Sequence, residues 1–386
     1  MKLKRIICGL LAVSMLALTG CGEEKKEEFD VKTVKLTSAQ VAEVSSKTDK
    51  ELEKSNFSGS AAITLNTNTV YNRSFGYADK SKKEKNSNKS EYQISSVTKV
   101  YTAAATAILI DEGKLKESDP LSKFFKISDS SVQKVTVKDL LFKKQDFGRY
   151  ADSFITTNDQ MEKYNKLVKK SVKKAETQLK KDITQFILNG GTGKTSVVGD
   201  SNYYLLGRVI EEASGMDYKD FIESRIVKKL GLKNTGFVSP KAKMTGYNVD
   251  TGQWRYTMEQ PTMNSFGFMF SSFGIVSTAE DTAKFFAAIV NRTLTKTDII
   301  REAKKTNTNF GYGFTIDGRN LHAEGRTYLH SSYVFINPEN YECAVLLSNF
   351  TGNSDISTMG NDIHQVINSK INGILLEHTD QKEFGL

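Results

Sequence analysis

Ser96 and Lys99 stand three residues apart, a hydroxyl and an amine at S-x-x-K spacing. On a helix that spacing sets both side chains on one face, about one turn apart. The flanking sequence supplies the helix. No charge occurs from Val100 to Ile110, and an uncharged run of Ala, Ile, Leu and Val at that length forms a helix buried on most sides. Gly113 supplies its stop. Ahead of the pair, Tyr92 and Ile94 alternate with polar neighbours as at a strand end. Ser96 therefore opens a buried helix, where free backbone N–H groups and the positive dipole end gather. A buried lysine that is neutral accepts the serine proton and frees the oxygen to attack an acyl carbon.

Other patterns of this kind carry less. Ser131–Lys134 and Ser171–Lys174 repeat the spacing, but in polar, lysine-rich surroundings with no buried helix following, and read as solvated pairs. Residues 190–196, GGTGKTS, imitate a phosphate loop. The full pattern needs glycine where Leu188 stands and a strand where the sequence reads as helix, so no nucleotide is expected. The four histidines lack metal-ligand spacing, so neither a metal nor another cofactor is expected. Cys343 lies in an apolar run and reads as a small buried hydrophobe. With Cys8 and Cys21 near the start of the chain, no disulfide framework forms within the domain.

The chain of 386 residues suffices for one large domain with two lobes, or for two domains. Residues 1–20 read as a secretory leader, with Lys2, Lys4 and Arg5 ahead of an apolar stretch at 6–18. Leu18-Thr19-Gly20-Cys21 resembles the bacterial lipobox, which implies lipidation of Cys21 and a place at the outer face of the cell membrane. Residues 22–28 follow as a charged tether. The net charge is +9, and +6 without the three leader charges, which suits anionic surfaces such as phospholipid or acidic wall polymers. No basic stripe with interleaved aromatics points to nucleic acid.

Residues 37–54 look helical, and residues 60–65 and 70–78 read as a hairpin turning at 66–68. Residues 136–142, 158–188, 203–214, 216–230 and 278–290 read as helices, the last capped by Thr278. The stretch 246–260, with the single tryptophan Trp254, reads as loop or hairpin. Residues 310–316, 319–323, 332–336 and 342–347 read as strands, and 357–376 as a closing helix. Strands at both ends with helices between predict an α/β fold of the α+β type: one antiparallel sheet built from both chain ends, flanked by helices, with a helical lobe inserted. The expected organisation is a leader at 1–20, a tether and helix at 21–55, and a domain at 56–386. Within that domain the α/β lobe takes 56–120 and 268–386, and the helical lobe about 121–267.

QISSVTKVYTAAATAILIDEGKLKESDPLSKFF resembles the first-motif region of the serine β-lactamase-like family, which includes class C β-lactamases, D,D-carboxypeptidases and related esterases. NYYLLGRVIEEASGMDYKDFI, KKLGLKNTGF, SSFGIVSTAEDTAKFFAAI and SSYVFINPENYECAVLLSN are similar too, so the resemblance covers roughly residues 56–350. It implies three motifs. The first is Ser96–Lys99. The second, Tyr-x-Asn, falls on Val198-Gly199-Asp200 when counted from Leu206-Gly207, or on Asp200-Ser201-Asn202 when slipped by two. In the first register valine replaces the tyrosine, and a carboxylate beside Lys99 would keep the lysine charged and a poor base. The third motif, Lys-Thr-Gly or His-x-Gly, falls on His322-Ala323-Glu324-Gly325, with the glycine one residue late and Glu324 placed to repel a substrate carboxylate. His322, Gly325 and Ser331 are the substrate-facing candidates, with a strand N–H near Ser331 joining that of Ser96 as an oxyanion hole. The His-Thr-Ser-Gly stretch of the family is absent: Lys143-Lys144-Gln145-Asp146-Phe147-Gly148 stands there.

The resemblance implies a membrane-anchored serine hydrolase acting on cell-wall or teichoic-acid-type material, on a D-alanyl ester or amide. The altered second and third motifs imply the alternative, a member that binds wall components or a partner without chemistry. The anchoring has its own test. Replacing Cys21 with Ala should move the protein from the detergent phase to the aqueous phase on partitioning, and unchanged membrane association would sink the lipobox reading.

Overall fold

The computed structural model describes residues 36–350 and 356, except 81, 146, 151–153, 155–157, 191–198, 238–243, 249–252, 258–269, 307 and 328; of residues 158–161, 244, 245, 247, 248 and 253–257 it describes the backbone alone. The expectations for the leader, Cys21, the tether, the glycine-rich stretch 190–196 beyond Gly190, Val198 and the helix at 357–376 lie outside the described residues.

Fourteen strands are named along the described chain: β1 Gly59–Leu65, β2 Asn68–Phe75, β3 Tyr77–Asp79, β4 Glu84–Lys85, β5 Tyr92–Gln93, β6 Gly236–Phe237, β7 Met244–Asn248, β8 Gln253–Thr257, β9 Ile275–Ser277, β10 Phe310–Gly311, β11 Phe314–Asp317, β12 Asn320–Arg326, β13 Ser331–Asn337 and β14 Glu342–Ser348. Seven of them form one antiparallel sheet in the order β10-β11-β12-β13-β14-β1-β2, so strands from the two ends of the sequence meet at the β14–β1 ladder. Ala62 there faces Val345, and Ile63 faces Ala344. Every residue of β1, β13 and β14 is buried. Strands covered on both faces need apolar residues at successive positions rather than alternate ones, which is the pattern of AAITL and CAVLL. The stretch 310–316 is a tight hairpin and not one strand: Tyr312 and Gly313 both take positive φ, so the chain doubles back between β10 and β11.

Helix α1 (Ser38–Lys54) covers one face of the sheet. Thr37 caps it through a capping box with Gln40, and Val44 and Leu52 pack with Tyr71, Tyr333, Phe335 and Leu346. The opposite face holds the larger core, built on α2 (Thr98–Asp111). Residues Thr98 to Leu109 of α2 are all buried, as its uncharged sequence predicts. The Tyr101 ring stacks on Phe285 of the helix Ala279–Val290 at 3.5 Å, and Thr102 Oγ1 donates to the Ser271 carbonyl at 2.6 Å.

Between the two groups of strands lie short α3 (Ser130–Gln133) and α4 (Val137–Leu141), then α5 (Asn158–Lys170), α6 (Val172–Leu188), α7 (Asp200–Ser214) and α8 (Tyr218–Ile222). The lysine-rich stretch breaks at Ser171, whose hydroxyl accepts the Lys174 N–H as an N-cap. A buried lysine ties three of these elements together: Lys180 Nζ of α6 meets Glu211 of α7 at 2.8 Å and Asp217, the α8 cap, at 2.6 Å. Helix α7 begins at Asp200, three residues earlier than the periodicity predicts. Gly199 ahead of it takes φ +63°, and a side chain there would run into Lys143, so only glycine fits.

Because α1 buries its apolar stripe on the same sheet that carries α2, it belongs to the cooperative unit. Leu52→Ala should therefore lower the stability of the whole body by about 2–5 kcal/mol, read as a shift of the urea midpoint at unchanged slope. An unmoved midpoint would mean that α1 frays independently.

Candidate active site

The chain reaches Ser96 through a short, heavily pinned segment. Ile94 N–H donates to the Ile275 carbonyl of β9 at 3.1 Å, while the Ile94 carbonyl accepts Ser332 Oγ of β13 at 2.8 Å. Gln93 N–H donates to Nδ1 of the buried His330 at 3.2 Å. Ser95 takes φ +48°, an uncommon conformation for a residue with a side chain, and its hydroxyl donates to the Arg326 carbonyl of β12 at 2.9 Å. Ser96 follows in a single 3₁₀ turn, Ser95–Val97, that runs into α2. It is half-buried and open to solvent, whereas Lys99, one turn on, is buried.

Lys99 Nζ lies 2.6 Å from Ser96 Oγ and 2.8 Å from Asp200 Oδ1. The second Asp200 oxygen accepts Arg149 Nε at 3.0 Å. Asp200 is 2% exposed and Arg149 42%. Burial alone would raise the Asp200 carboxyl, but the Lys99 ammonium and the Arg149 guanidinium outweigh it and hold the group below the usual carboxylate range. Its place in the first turn of α7 works the same way, with free N–H groups beside a negative charge. The Ser272 hydroxyl donates to the Asp200 carbonyl at 2.6 Å. The ring of Phe273 lies 5.9 Å from Lys99 Nζ and stacks on Tyr150 at 6.0 Å, walling the ion pair from water.

Of the second-motif candidates, only Asp200 reaches Lys99. Ser201 and Asn202 point the other way. Ser201 Oγ accepts the Tyr150 N–H at 3.1 Å, and Asn202 Nδ2 donates to the Gln145 carbonyl at 2.7 Å. They hold the loop that carries Arg149. Asp200, which both registers share, is thus the candidate that meets Lys99, and Val198 lies outside the described residues.

The third-motif candidates separate by strand parity. In β12, Leu321, Ala323 and Gly325 are buried toward α2, while His322 and Glu324 stand on the opposite face. His322 stacks on Tyr333 at 6.0 Å, and Tyr333 belongs to the cluster under α1. The sheet therefore lies between His322 and Ser96. Ser331 shares the Tyr333 side of β13, so its neighbour Ser332 is the residue that meets the nucleophile segment. Gly325 does reach the site. A Cβ there would sit 2.3 Å from the Ile94 carbonyl and 2.9 Å from the Ser96 amide nitrogen. The strand flush against Ser96 is thus β12 at Gly325, one strand outward from Ser331. The sequence reading missed Arg149 and Ser332. Arg149 has one indirect signal, since a carboxylate buried beside a single lysine seldom lacks a second donor.

A nucleophile at a helix start with a buried lysine one turn away, backed by a carboxylate, is an arrangement for acyl transfer. The comparisons agree with the fold that holds it. PbpX of Bacillus subtilis is 25% identical over 359 residues, covering 90% of this chain and 85% of PbpX. The crystal structure of FmtA from Staphylococcus aureus superposes with a TM-score of 0.66 at 24% identity, over 83% of this chain and 88% of FmtA. The D-amino acid amidase of Ochrobactrum anthropi SV3, complexed with D-phenylalanine, gives 0.65 at 19% identity, over 86% of this chain and all of the amidase. At those identities the two structures speak for the fold alone. The profile of the Beta-lactamase family matches residues 44–365, and the chain belongs to that family, the serine hydrolases akin to β-lactamases and penicillin-binding proteins.

Proposed function

We propose that the protein is a membrane-anchored, extracytoplasmic serine hydrolase that opens a D-alanyl ester or amide bond of cell-envelope material through an acyl-enzyme on Ser96. The observation that carries this reading is the 2.6 Å contact between Ser96 Oγ and Lys99 Nζ at the opening of a buried helix. The substrate class is the one the sequence resemblance implies, and a protein named D-amino acid amidase shares the fold. In the proposed reaction Ser96 Oγ bonds to the acyl carbon as its proton passes to Lys99. The leaving alcohol or amine takes that proton, and water later releases the acid. Lys99 must arrive neutral, and the acceptor in reach of its extra proton is Asp200, 2.8 Å away. Because Lys99 and Arg149 together stabilise the Asp200 carboxylate, that transfer is uphill, and acylation is slow.

The same ion pair favours a second reading, in which Lys99 keeps its proton and the site binds an acyl group without cleaving it. Intact-mass spectrometry separates the two. A fluorophosphonate or a reactive acyl ester should add to Ser96 over hours, Ser96→Ala should abolish the adduct, and Lys99→Ala should slow its formation about 10²–10⁴-fold. Turnover of a chromogenic β-lactam should be negligible. No adduct on the parent chain would leave the binding reading standing.

Asp200 also couples the site to the fold. Its carboxyl titrates lower folded than unfolded, so its stabilisation is complete above the unfolded value of about 3.9 and is lost as pH falls through the folded value. Asp200→Asn should cost about 3–5 kcal/mol at neutral pH, because it strands a buried ammonium. In urea unfolding the gap between parent and variant should close as pH drops below about 4. A gap independent of pH would show that no ionised carboxylate pairs with Lys99.

A further inference from the structure

A dense run of positive charge stands on the described surface where α5 meets α6. From Lys163 to Lys174, six of twelve residues are lysine (163, 166, 169, 170, 173 and 174) and none is acidic. All six are exposed. They crowd the corner where α5 turns into α6 at Ser171, a tight hairpin closed by Val168 packing on Ala175 and by the Tyr164 hydroxyl donating to Asp182 at 2.8 Å. Lys163, Lys166 and Lys170 share one side of α5, where with Leu167 and Glu162 they line a shallow open groove. Among the described residues the ion pair of this cluster is Lys166–Glu162 at 2.8 Å. Like charges three and four apart on a helix destabilise it, so the corner works against its own fold unless an outside anion settles there.

We propose that the α5–α6 corner is a docking surface for a linear phosphodiester-backboned polyanion, an acidic polymer of the wall. Charge complementarity selects an anion. The composition selects its type: lysine is a point charge on a flexible stem and suits phosphates strung along a mobile chain, where arginine would impose a two-pronged geometry. A bilayer fits less well, because a helix lying on lipid turns an apolar face outward. Here Tyr164 and Val168 face inward, and Val172 at 42% is the exposed large hydrophobic among the described residues. A nucleic acid would call for exposed aromatics on which bases stack, and the aromatic of this hairpin corner, Tyr164, is buried. The surface would hold the polymer beside the enzyme whether or not Ser96 acts on it.

The test compares the full chain with its Lys169→Gln, Lys170→Gln, Lys173→Gln, Lys174→Gln variant, both carrying Cys21→Ala so that no lipid is attached. Binding is measured to D-alanine-free poly(glycerol phosphate), to uncharged dextran and to phosphatidylglycerol vesicles, across a salt series. The parent should bind the polymer and not dextran. The variant should lose at least tenfold in affinity at low salt. Its log–log salt slope should fall by about three, taking about 0.7 per lost contact on a single-stranded polyanion. Thermal unfolding of the variant should hold or rise slightly, as the like-charge repulsion is relieved, and Ser96 labelling by a small acyl ester should stay unchanged, which separates this surface from the reactive site. No polymer binding by the parent, equal binding by the variant, or a greater loss on vesicles than on polymer would overturn the proposal.

Discussion

A buried ammonium with two claimants governs this molecule. Lys99 is 3% exposed, and an isolated ammonium cannot remain so deep without a partner. That requirement reaches outward through the structure. Asp200 must be delivered, which needs α7 to start where it does and Gly199 to take a left-handed turn against Lys143. The carboxylate, itself buried, needs a second cation, which brings in Arg149. The Arg149 loop in turn is fastened to α7 by Ser201 and Asn202. The residues that make the pair stable also hold the Asp200 carboxyl below the usual carboxylate range, which under the proposed reaction would set the stability of the site against the activation of Ser96.

The sequence displays what local periodicity controls. The buried α2 helix is legible in its missing charges, and the capped helix starts in Thr37, Thr136 and Thr278, each of which accepts the backbone N–H expected of an N-cap. The Ser171–Lys174 pair, which reads as a solvated pair, has a structural role, since the Ser171 hydroxyl caps the helix that follows. Long-range pairings are silent in the sequence. Arg149 and Asp200 are 51 positions apart with nothing in their spacing to join them. The misplacement of His322 has a different origin. Strand residues alternate faces, so a glycine one position late moves the substrate-facing candidate to the far side of the sheet. Gly325, judged by the space at its Cβ, identifies the correct face.

The sheet divides the molecule's labour. One face carries α1 and the aromatic cluster of Tyr71, Tyr333 and Phe335; the other carries α2, the ion pair and the helical portion. Three strands, β9, β12 and β13, converge on the four residues from Gln93 to Ser96 with backbone and side-chain hydrogen bonds. The serine is held by the sheet as much as by its helix, which accounts for the tolerance of a positive φ at Ser95: the surrounding bonds over-determine the conformation.

The ladder between β1 and β14 also sets an order in time. Ser58 and Asn349, at the margin of that ladder, are hydrogen-bonded across 291 positions. Contacts between such distant residues form late, since the loop must close before they repay it. A chain emerging from its amino end makes Ser96 and Lys99 first, whereas β9, β12 and β13, which hold the segment around Ser96 in place, all lie beyond residue 274. In the growing polypeptide the segment around Ser96 therefore precedes the strands that pin it, and its hydrogen bonds to β9, β12 and β13 form only once those strands have arrived.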